Sequence, residues 1–480
     1  MTPSNAGSHL AIDLGASSGR AVIGTLDGAV MRMEEIGRFR TPLLERDGHL
    51  FWDVDSMWAD VQAAVATAFA SGRPLRSISV DSWAVDYVPL DADGKRLRLA
   101  YSYRDLRTAG RLETAIRLAG GADALYDRTG IQFLPFNTMP QIVADLEDEP
   151  DVVRVTQVRL LIAEYFLYLL SGMKVAEATM ASTTQLVDAR TGDWSASLLA
   201  AIGDDVHRWP PIVPCGTVLG PLLPELVPRG VTEPPVVIAT CAHDTAAAVA
   251  AVPTVGHHAW AFISSGTWSL VGAELAAPVL TREARLAGFT NEAGIDGTVR
   301  FLTNRAGMWA LEECRREWQE QGTTYSHAGL LNAAIAARAM GGTIDLNAPL
   351  FVARGDMIGR IASACRDAGV QVPTAHGETA RLILESLAAS HAEALDQLQS
   401  VSGLQIDDVH IVGGGALNDF LNQLTADRSG RRILAGPEEA TVLGNLLVQA
   451  RTLGCLPQGV AVRDAARSST SVREFKACRP

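Results

Sequence analysis

Short apolar runs separated by turns of small residues open the chain. His9–Asp13 is one such run, Leu14–Gly19 is the turn, and Arg20–Leu26 alternates apolar with polar positions, which predicts strand, turn, strand. Asp27-Gly28 has the composition of a hairpin turn and leads into a further strand over 29–36. The period then changes: Trp58, Val61, Val65 and Phe69 recur at helical spacing and predict a helix over 55–70, with Val54-Asp55-Ser56 at its start. Leu75–Val80 reads as a buried strand ending at Asp81-Ser82-Trp83, and Tyr87–Leu90 with the turn Asp91–Gly94 reads as a hairpin. Residues 105–205 are largely helical in pattern, interrupted by Gly130–Asn137. Pro and Gly then gather between Trp209 and Pro235 as a connector.

Beyond the connector, Pro235–Thr240 is another buried strand, followed by Cys241-Ala-His-Asp244 and an Ala/Val-rich helix. His258–Ser264, Ser265-Gly-Thr267 and Trp268–Ala273 then repeat the strand, small turn, strand order of the N-terminus. Two copies of one unit, each heading an α/β segment, predict two related domains of similar build. A long helix over 378–400, a strand Val409–Val412, three glycines and a helix from Asn418 complete the second copy. The division is expected near residue 245, giving domains 1–244 and 245–462 and a polar, loosely held tail over 463–480. The Thr245–Ala251 helix then falls on the hinge side of the second domain.

Composition narrows the class without deciding it. A chain of 480 residues suggests two or three domains at about 100–200 residues each. The formal net charge is −13, and no Lys/Arg run exceeds two residues, which argues against nucleic acid as a partner. Met1–Leu10 lacks the apolar core of a secretory signal, and Val158–Leu170 is interrupted by Arg159 and Glu164, so neither a leader nor a membrane span is expected. Cys215, Cys241, Cys314, Cys365, Cys455 and Cys478 are scattered without a CxxC pair and read as reduced thiols of a cytoplasmic protein. The adjacent His257–His258 pair reads as solvated loop residues, since neighbours in a strand face opposite ways.

Four constellations carry chemistry. The turn Gly15-Ala16-Ser17-Ser18-Gly19, followed by Arg20, can aim successive backbone N–H groups and hydroxyls at a phosphate, and Asp13 at the strand end is placed to hold Mg²⁺ through water. Alone it could equally be an ordinary hairpin, and it is not a GxxxxGK[ST] loop. The second small turn, Ser264–Ser269, adds a Thr267 hydroxyl for the same phosphates. The third, Gly413-Gly414-Gly415 after a strand, lets backbone approach a ribose or a flat ring. The fourth is His243-Asp244-Thr245 at a helix start. There a carboxylate could accept the proton of an attacking hydroxyl, the positive helix end favouring its anionic form, or could simply cap the helix. Taken in order, these motifs belong to the actin-like ATPase fold. The fold class expected is α/β, with two actin-like (ribonuclease H-like) domains and a nucleotide and substrate cleft between them.

The segments DLGASSGR (13–20), DSWAVDY (81–87), TGIQFLPFNT (129–138), ASTTQLVD (181–188), HDTAAAVA (243–250), SSGTWSLVG (264–272) and GPEEATVLGN (436–445) resemble the rhamnulokinase branch of the FGGY carbohydrate kinases, over about residues 8–455. The resemblance implies that Mg·ATP phosphorylates L-rhamnulose at its 1-hydroxyl, in the catabolism of L-rhamnose. It assigns Asp244 as proton acceptor, the Ala16–Arg20 turn and Thr267 to the ATP phosphates, and Gly414 to the adenosine side. Ala84, His243, Asp244, Thr245 and Asn304 are assigned to the sugar. Two positions depart from the branch pattern: Glu312 stands where a nucleotide-side Gln is usual, and Ala84 where Gly is also usual. A carboxylate only accepts hydrogen bonds where an amide also donates. Closure of the two domains is expected to exclude water from the reacting atoms. The implied partners are a small sugar and ATP, without nucleic acid or membrane, in a monomer or small homo-oligomer. The rivals are an L-fuculokinase or other ketose kinase of the same family, a catalytically silent sugar- or nucleotide-binding protein, and a structural ATPase of the actin type.

Overall fold

A computed structural model describes residues 7–256, 259–352 and 354–478; the His257–His258 pair and residues 1–6 lie outside the described residues. Two compact units emerge. The first comprises 1–253, 274–301 and 440–470, and the second comprises 254–273, 302–439 and 471–480.

The first unit is built on a six-stranded sheet. Its strands are β1 (Ser8–Leu14), β2 (Ser18–Asp27), β3 (Val30–Arg40), β4 (Leu75–Ser82), β5 (Thr217–Pro221) and β6 (Val236–Ala239), in the order β5-β6-β4-β1-β2-β3. β1, β2 and β3 form an antiparallel meander, while β4 runs parallel to β1 and β6 parallel to β4. Side chains alternate across a strand, so β1 and β4 each serve two layers. Leu10, Ile12, Leu14, Ile78 and Val80 enter a core with Met57, Val61 and Val65 of the helix Val54–Ala70. That helix is capped by Asp53, whose carboxylate accepts from Ser56 N–H at 3.1 Å, rather than by the Val54–Ser56 stretch.

The alternate residues of β1 and β4 are mostly polar, and they meet the other layer. Its helices are Asp244–Ala250 and Ala440–Thr452. Ser77 Oγ donates to Gln449 Oε1 at 2.6 Å, Gln449 Nε2 donates to Leu10 O at 3.0 Å, and Asn445 Nδ2 donates to Asp81 Oδ2 at 2.5 Å. Gly444 lets the two helices touch: a Cβ there would lie 1.9 Å from Ala247 O. These contacts place Ala440–Thr452, and with it Val462–Ser469, in the first unit. The sequence-based cut at residue 245 follows the chain, whereas packing takes the helix Asp244–Ala250 and a late segment back to β1.

The second unit repeats the plan. Six strands of its seven-stranded sheet are β7 (Trp260–Ser265), β8 (Trp268–Leu275), β9 (Val299–Ala306), β10 (Asp408–Val412), β11 (Arg432–Ala435) and β12 (Arg473–Phe475), in the order β9-β8-β7-β10-β11-β12. β7 and β8 are an antiparallel hairpin, and β10 runs parallel to β7. The echo read from the two small turns is thus an echo of sheet order. The described part of the expected tail, 463–478, is not loosely held. Val462, Ala465 and Ala466 are buried on one side of a short helix, and β12 pairs antiparallel with β11. Three small apolar residues were too weak a pattern to read as a helix face.

Candidate active site

In the first unit, the hairpin β1–β2 and the parallel neighbour β4 bring chemistry to one sheet end. Asp13 pairs in register with Arg20 across the hairpin and with Asp81 across the parallel pair. Arg20 Nε donates to Asp13 Oδ2 at 2.9 Å. The turn between them is tight: Gly15 N–H donates to Ser18 O at 3.0 Å, and Thr41 Oγ1 donates to Gly15 O at 2.8 Å. Ser17 and Ser18 are exposed at its tip, while Gly19 is buried under the Phe39 ring, where a Cβ would lie 2.1 Å from Cε2. Ala16 is half-buried beside them.

Asp244 is the first residue of its helix, its side chain 31% exposed. Thr245 N–H donates to Asp244 Oδ1 at 2.5 Å and Thr245 Oγ1 at 3.1 Å. Burial pushes the Asp244 carboxyl above its ordinary range, with the Asp13 carboxylate adding to the rise and His243 and Thr245 opposing it. The sequence argument from the helix dipole predicts the opposite direction; desolvation outweighs it. Asp81, buried and with Oδ1 lacking a hydrogen-bond partner, is pushed well up by burial and then by the neighbouring Asp13 carboxylate.

His243 is held by residues no local motif pointed to. Arg300, fully buried, places a guanidinium nitrogen 3.1 Å from His243 Nδ1 and 3.0 Å from Glu292 Oε2. The Glu292 carboxylate also lies 3.4 Å from His243 Nδ1, and His243 Nε2 faces Asp244 Oδ1 at 3.5 Å. The backbone of the same loop is pinned from a third direction. Ala242 N–H donates to Glu177 Oε2 at 3.1 Å and His243 N–H to Thr179 Oγ1 at 3.1 Å.

Ala84 sits half-buried in a strained turn. Val85 has φ 70°, a left-handed value rare for a β-branched residue, and Asp86 N–H donates to Ala84 O at 3.0 Å to close a three-residue turn. Asp86 secures it. Its Oδ2 accepts from Trp52 Nε1 at 2.6 Å, Trp83 Nε1 at 3.0 Å and Tyr103 N at 3.0 Å, and its Oδ1 from Gln141 Nε2 at 3.0 Å. Strain of this kind persists only where its surroundings fix it, and it gathers at functional sites.

In the second unit the motifs also converge. A Cβ at Gly307 would lie 2.6 Å from Gly266 O and Thr267 O, and Met308 N–H donates to Gly266 O at 2.9 Å, so the 307–309 segment rests on the small turn. A Cβ at Gly415 would meet Ser265 Oγ at 2.0 Å. Gly414 is exposed with open space above it, and Thr267 and Asn304 are half-buried. Glu312, from the helix Trp309–Glu320, is paired: Arg315 binds Oε2 at 2.5 Å and His327 Nε2 lies 3.1 Å from Oε1. Its charge is met within its own neighbourhood.

The chemistry of these donors fits a nucleotide and a hard cation. In the second unit, Gly414 has open space above it, which leaves backbone free for a ligand; in the first, Asp13 offers an oxygen of the kind Mg²⁺ prefers. Among the described residues no group of three or more His, Cys, Asp or Glu side chains could hold a metal ion, and no helix is long and apolar enough to cross a membrane.

Residues 8–251 match the N-terminal domain of the FGGY family of carbohydrate kinases and residues 261–453 match its C-terminal domain. The chain is 38% identical to a rhamnulokinase of Bacillus subtilis (strain 168) over 467 residues, 97% of this chain and 95% of that one. It is 39% identical to a rhamnulokinase of Klebsiella pneumoniae (strain 342) over 468 residues, 97% and 94% of the two chains. Among solved structures, gluconate kinase from Lactobacillus acidophilus superposes with a TM-score of 0.79 at 17% identity, and Plasmodium falciparum glycerol kinase with ADP at 0.77 and 15%. Each of these alignments covers 98% of this chain and 94% of the other, and at such identities they speak for the fold.

Proposed function

This chain belongs to the FGGY family of carbohydrate kinases, and from that premise we propose that it transfers the γ-phosphoryl group of ATP to the 1-hydroxyl of L-rhamnulose, giving L-rhamnulose 1-phosphate and ADP. The rhamnulokinase names of the relatives in two different organisms support the sugar, which serves the catabolism of L-rhamnose in the cytoplasm. One observation carries the mechanism: Asp244, raised above the ordinary carboxylate range and turned toward His243 Nε2, has the environment of a general base.

The sugar meets Ala84, His243, Asp244, Thr245 and Asn304, and Asp244 accepts the proton of the 1-hydroxyl as that oxygen bonds to phosphorus. Gly15, Ala16, Ser17, Ser18, Gly19, Arg20 and Thr267 serve the ATP phosphates, with Gly414 and Glu312 on the nucleoside side. Asp13 would hold Mg²⁺, and that ion, when bound, would neutralise charge on the transferring phosphates.

The test is ADP release with Mg·ATP against L-rhamnulose, L-fuculose, L-ribulose, D-xylulose and glycerol. L-Rhamnulose is expected to have the highest kcat/KM, and a clear preference for another sugar would overturn the substrate. Asp244→Asn is expected to bind both ligands while kcat falls by about 10²-fold or more, the usual contribution of a positioned base. Near-native kcat in that variant would remove Asp244 from the role.

A further inference from the structure

Two thiols outside the phosphoryl-transfer residues lie against each other. Cys215 Sγ stands 3.1 Å from Cys241 Sγ, and both cysteines are free. Cys215 lies just before β5 and Cys241 just after β6, and the two strands pair antiparallel. Gly216 N–H donates to Ala239 O at 2.7 Å, so the backbones carrying the thiols are fastened side by side. Cys215 is half-buried, whereas Cys241 is wholly buried, in the apolar cluster that includes Ala246 and Ala247. Cys241 is three residues from Asp244.

We propose that Cys215 and Cys241 are a modification site that forms a reversible disulfide by exchange with a small organic disulfide, and that this bond suppresses phosphoryl transfer. The half-buried Cys215 reacts first. Its thiolate attacks one sulfur of RS–SR, forming Cys215–S–SR and expelling RS⁻, which takes up the proton Cys215 released. Cys241 then gives up its proton and attacks Cys215 Sγ, expelling the second RS⁻, which leaves as RSH. Two protein thiols are oxidised and one RS–SR is reduced to two RSH. The hydrogen bond with Cys241, and then burial, hold the Cys215 thiol well above the range of a free cysteine, so exchange is slow and the site answers sustained oxidation.

The effect on turnover follows from the loop's fastening, and it rests on the role given to Asp244 above. An S–S bond of about 2.05 Å draws the two sulfurs together by about 1 Å. The Ala242 and His243 N–H groups are tied to Glu177 and Thr179, so the loop has little slack to absorb that movement before His243 and Asp244. Misplacement of a reacting group by about 1 Å costs up to about 10²-fold in rate.

The full chain, carrying Cys478→Ser to remove an exposed thiol, would be incubated with oxidised glutathione, assayed for ADP release, mapped by peptide mass spectrometry, and assayed again after dithiothreitol. The expected result is a Cys215–Cys241 cross-linked peptide, a fall in kcat of at least about 10-fold, and recovery on reduction. Cys215→Ser, or Cys215→Ala should the serine variant fold poorly, should keep its activity through the same treatment. Absence of the cross-linked peptide, a cross-link with undiminished kcat, or equal inactivation of the Cys215 variant would each overturn the proposal. Turnover by the reduced enzyme tests the kinase reading separately, and peptide mapping tests the bond whatever that turnover is.

Discussion

Glu164 and Asp86 are carboxyls folded into places without solvent, and each answers differently. Burial pushes Glu164 from 4.5 up to about 8, although the Glu177 N–H donates to its Oε1 at 2.9 Å. The folded protein therefore keeps a proton there that the unfolded chain releases above 4.5. The stabilisation from this group is full below pH 4.5 and is lost as pH rises through about 8. Thermal melts should show a fall in Tm between pH 6 and 8.5 that Glu164→Gln lessens; parallel profiles would contradict the assignment. Asp86 rises only to about 6, because four N–H donors oppose its burial. Asp86→Ala would take the acceptor from the Trp52, Trp83 and Tyr103 N–H groups, each at about 1–3 kcal/mol, while Gln141 Nε2 keeps Phe136 O at 3.1 Å, and is expected to unfold several kcal/mol more easily. Asp86→Asn keeps one acceptor oxygen and should fold, with KM for the ketose rising more than KM for ATP, because the Ala84 turn loosens. Equal changes in both constants would make Asp86 merely structural.

At the scale of elements, what was legible in the chain was local. The two small turns, the helix beginning at Asp244 and the glycine loop at 413–415 could be read because each is a few consecutive residues with one composition. The partners of those motifs were not legible. Glu292 and Arg300 reach His243 from about fifty residues away in sequence, Asn445 reaches Asp81 from the far end, and Glu177 holds Ala242 from the helical region. Asn445 closes the GPEEATVLGN segment, but nothing in that segment names its partner, and the other positions carry no local pattern, since a buried Arg or Asn looks like a surface one until its partner arrives. The Ala440–Thr452 helix is the clearest example, because its Asn445 and Gln449 gave it an ordinary half-polar face. Its approach to the Asp244 helix depends on Gly444. Gly444→Ala would set a methyl 1.9 Å from a backbone oxygen that cannot swing aside. The variant should lose about 1–3 kcal/mol in chemical denaturation, the usual cost of overpacking, and lower kcat with it as the helix carrying Asp244 is pushed. Unchanged stability and kcat would show that the helices part freely.

For the molecule as a whole, the repeated sheet order is interrupted by a chain that leaves its first unit and returns. A protein ending at Glu439 would retain β1 to β6 but lose the side chains that meet Ser77, Leu10 and Asp81. It is expected to yield little folded material, with early exchange of β1 and β4 amides in hydrogen–deuterium measurements; native protection in that fragment would show the returning helix to be dispensable. The same path matters while the protein is being made. Once Pro253 has left the ribosome, the polar face of β1 and β4 has the helix Asp244–Ala250 but still lacks the second helix of its cover, which begins at Ala440. At about 5–20 residues per second the interval is roughly 10–40 s. Through that time the buried carboxyl of Asp81 and the Ser77 hydroxyl are wet and open to mispairing. The nascent chain therefore carries an unfinished first half through most of the time its remainder takes to be made, and its yield in a cell is set by how well that half is sheltered until the last tenth of the protein arrives.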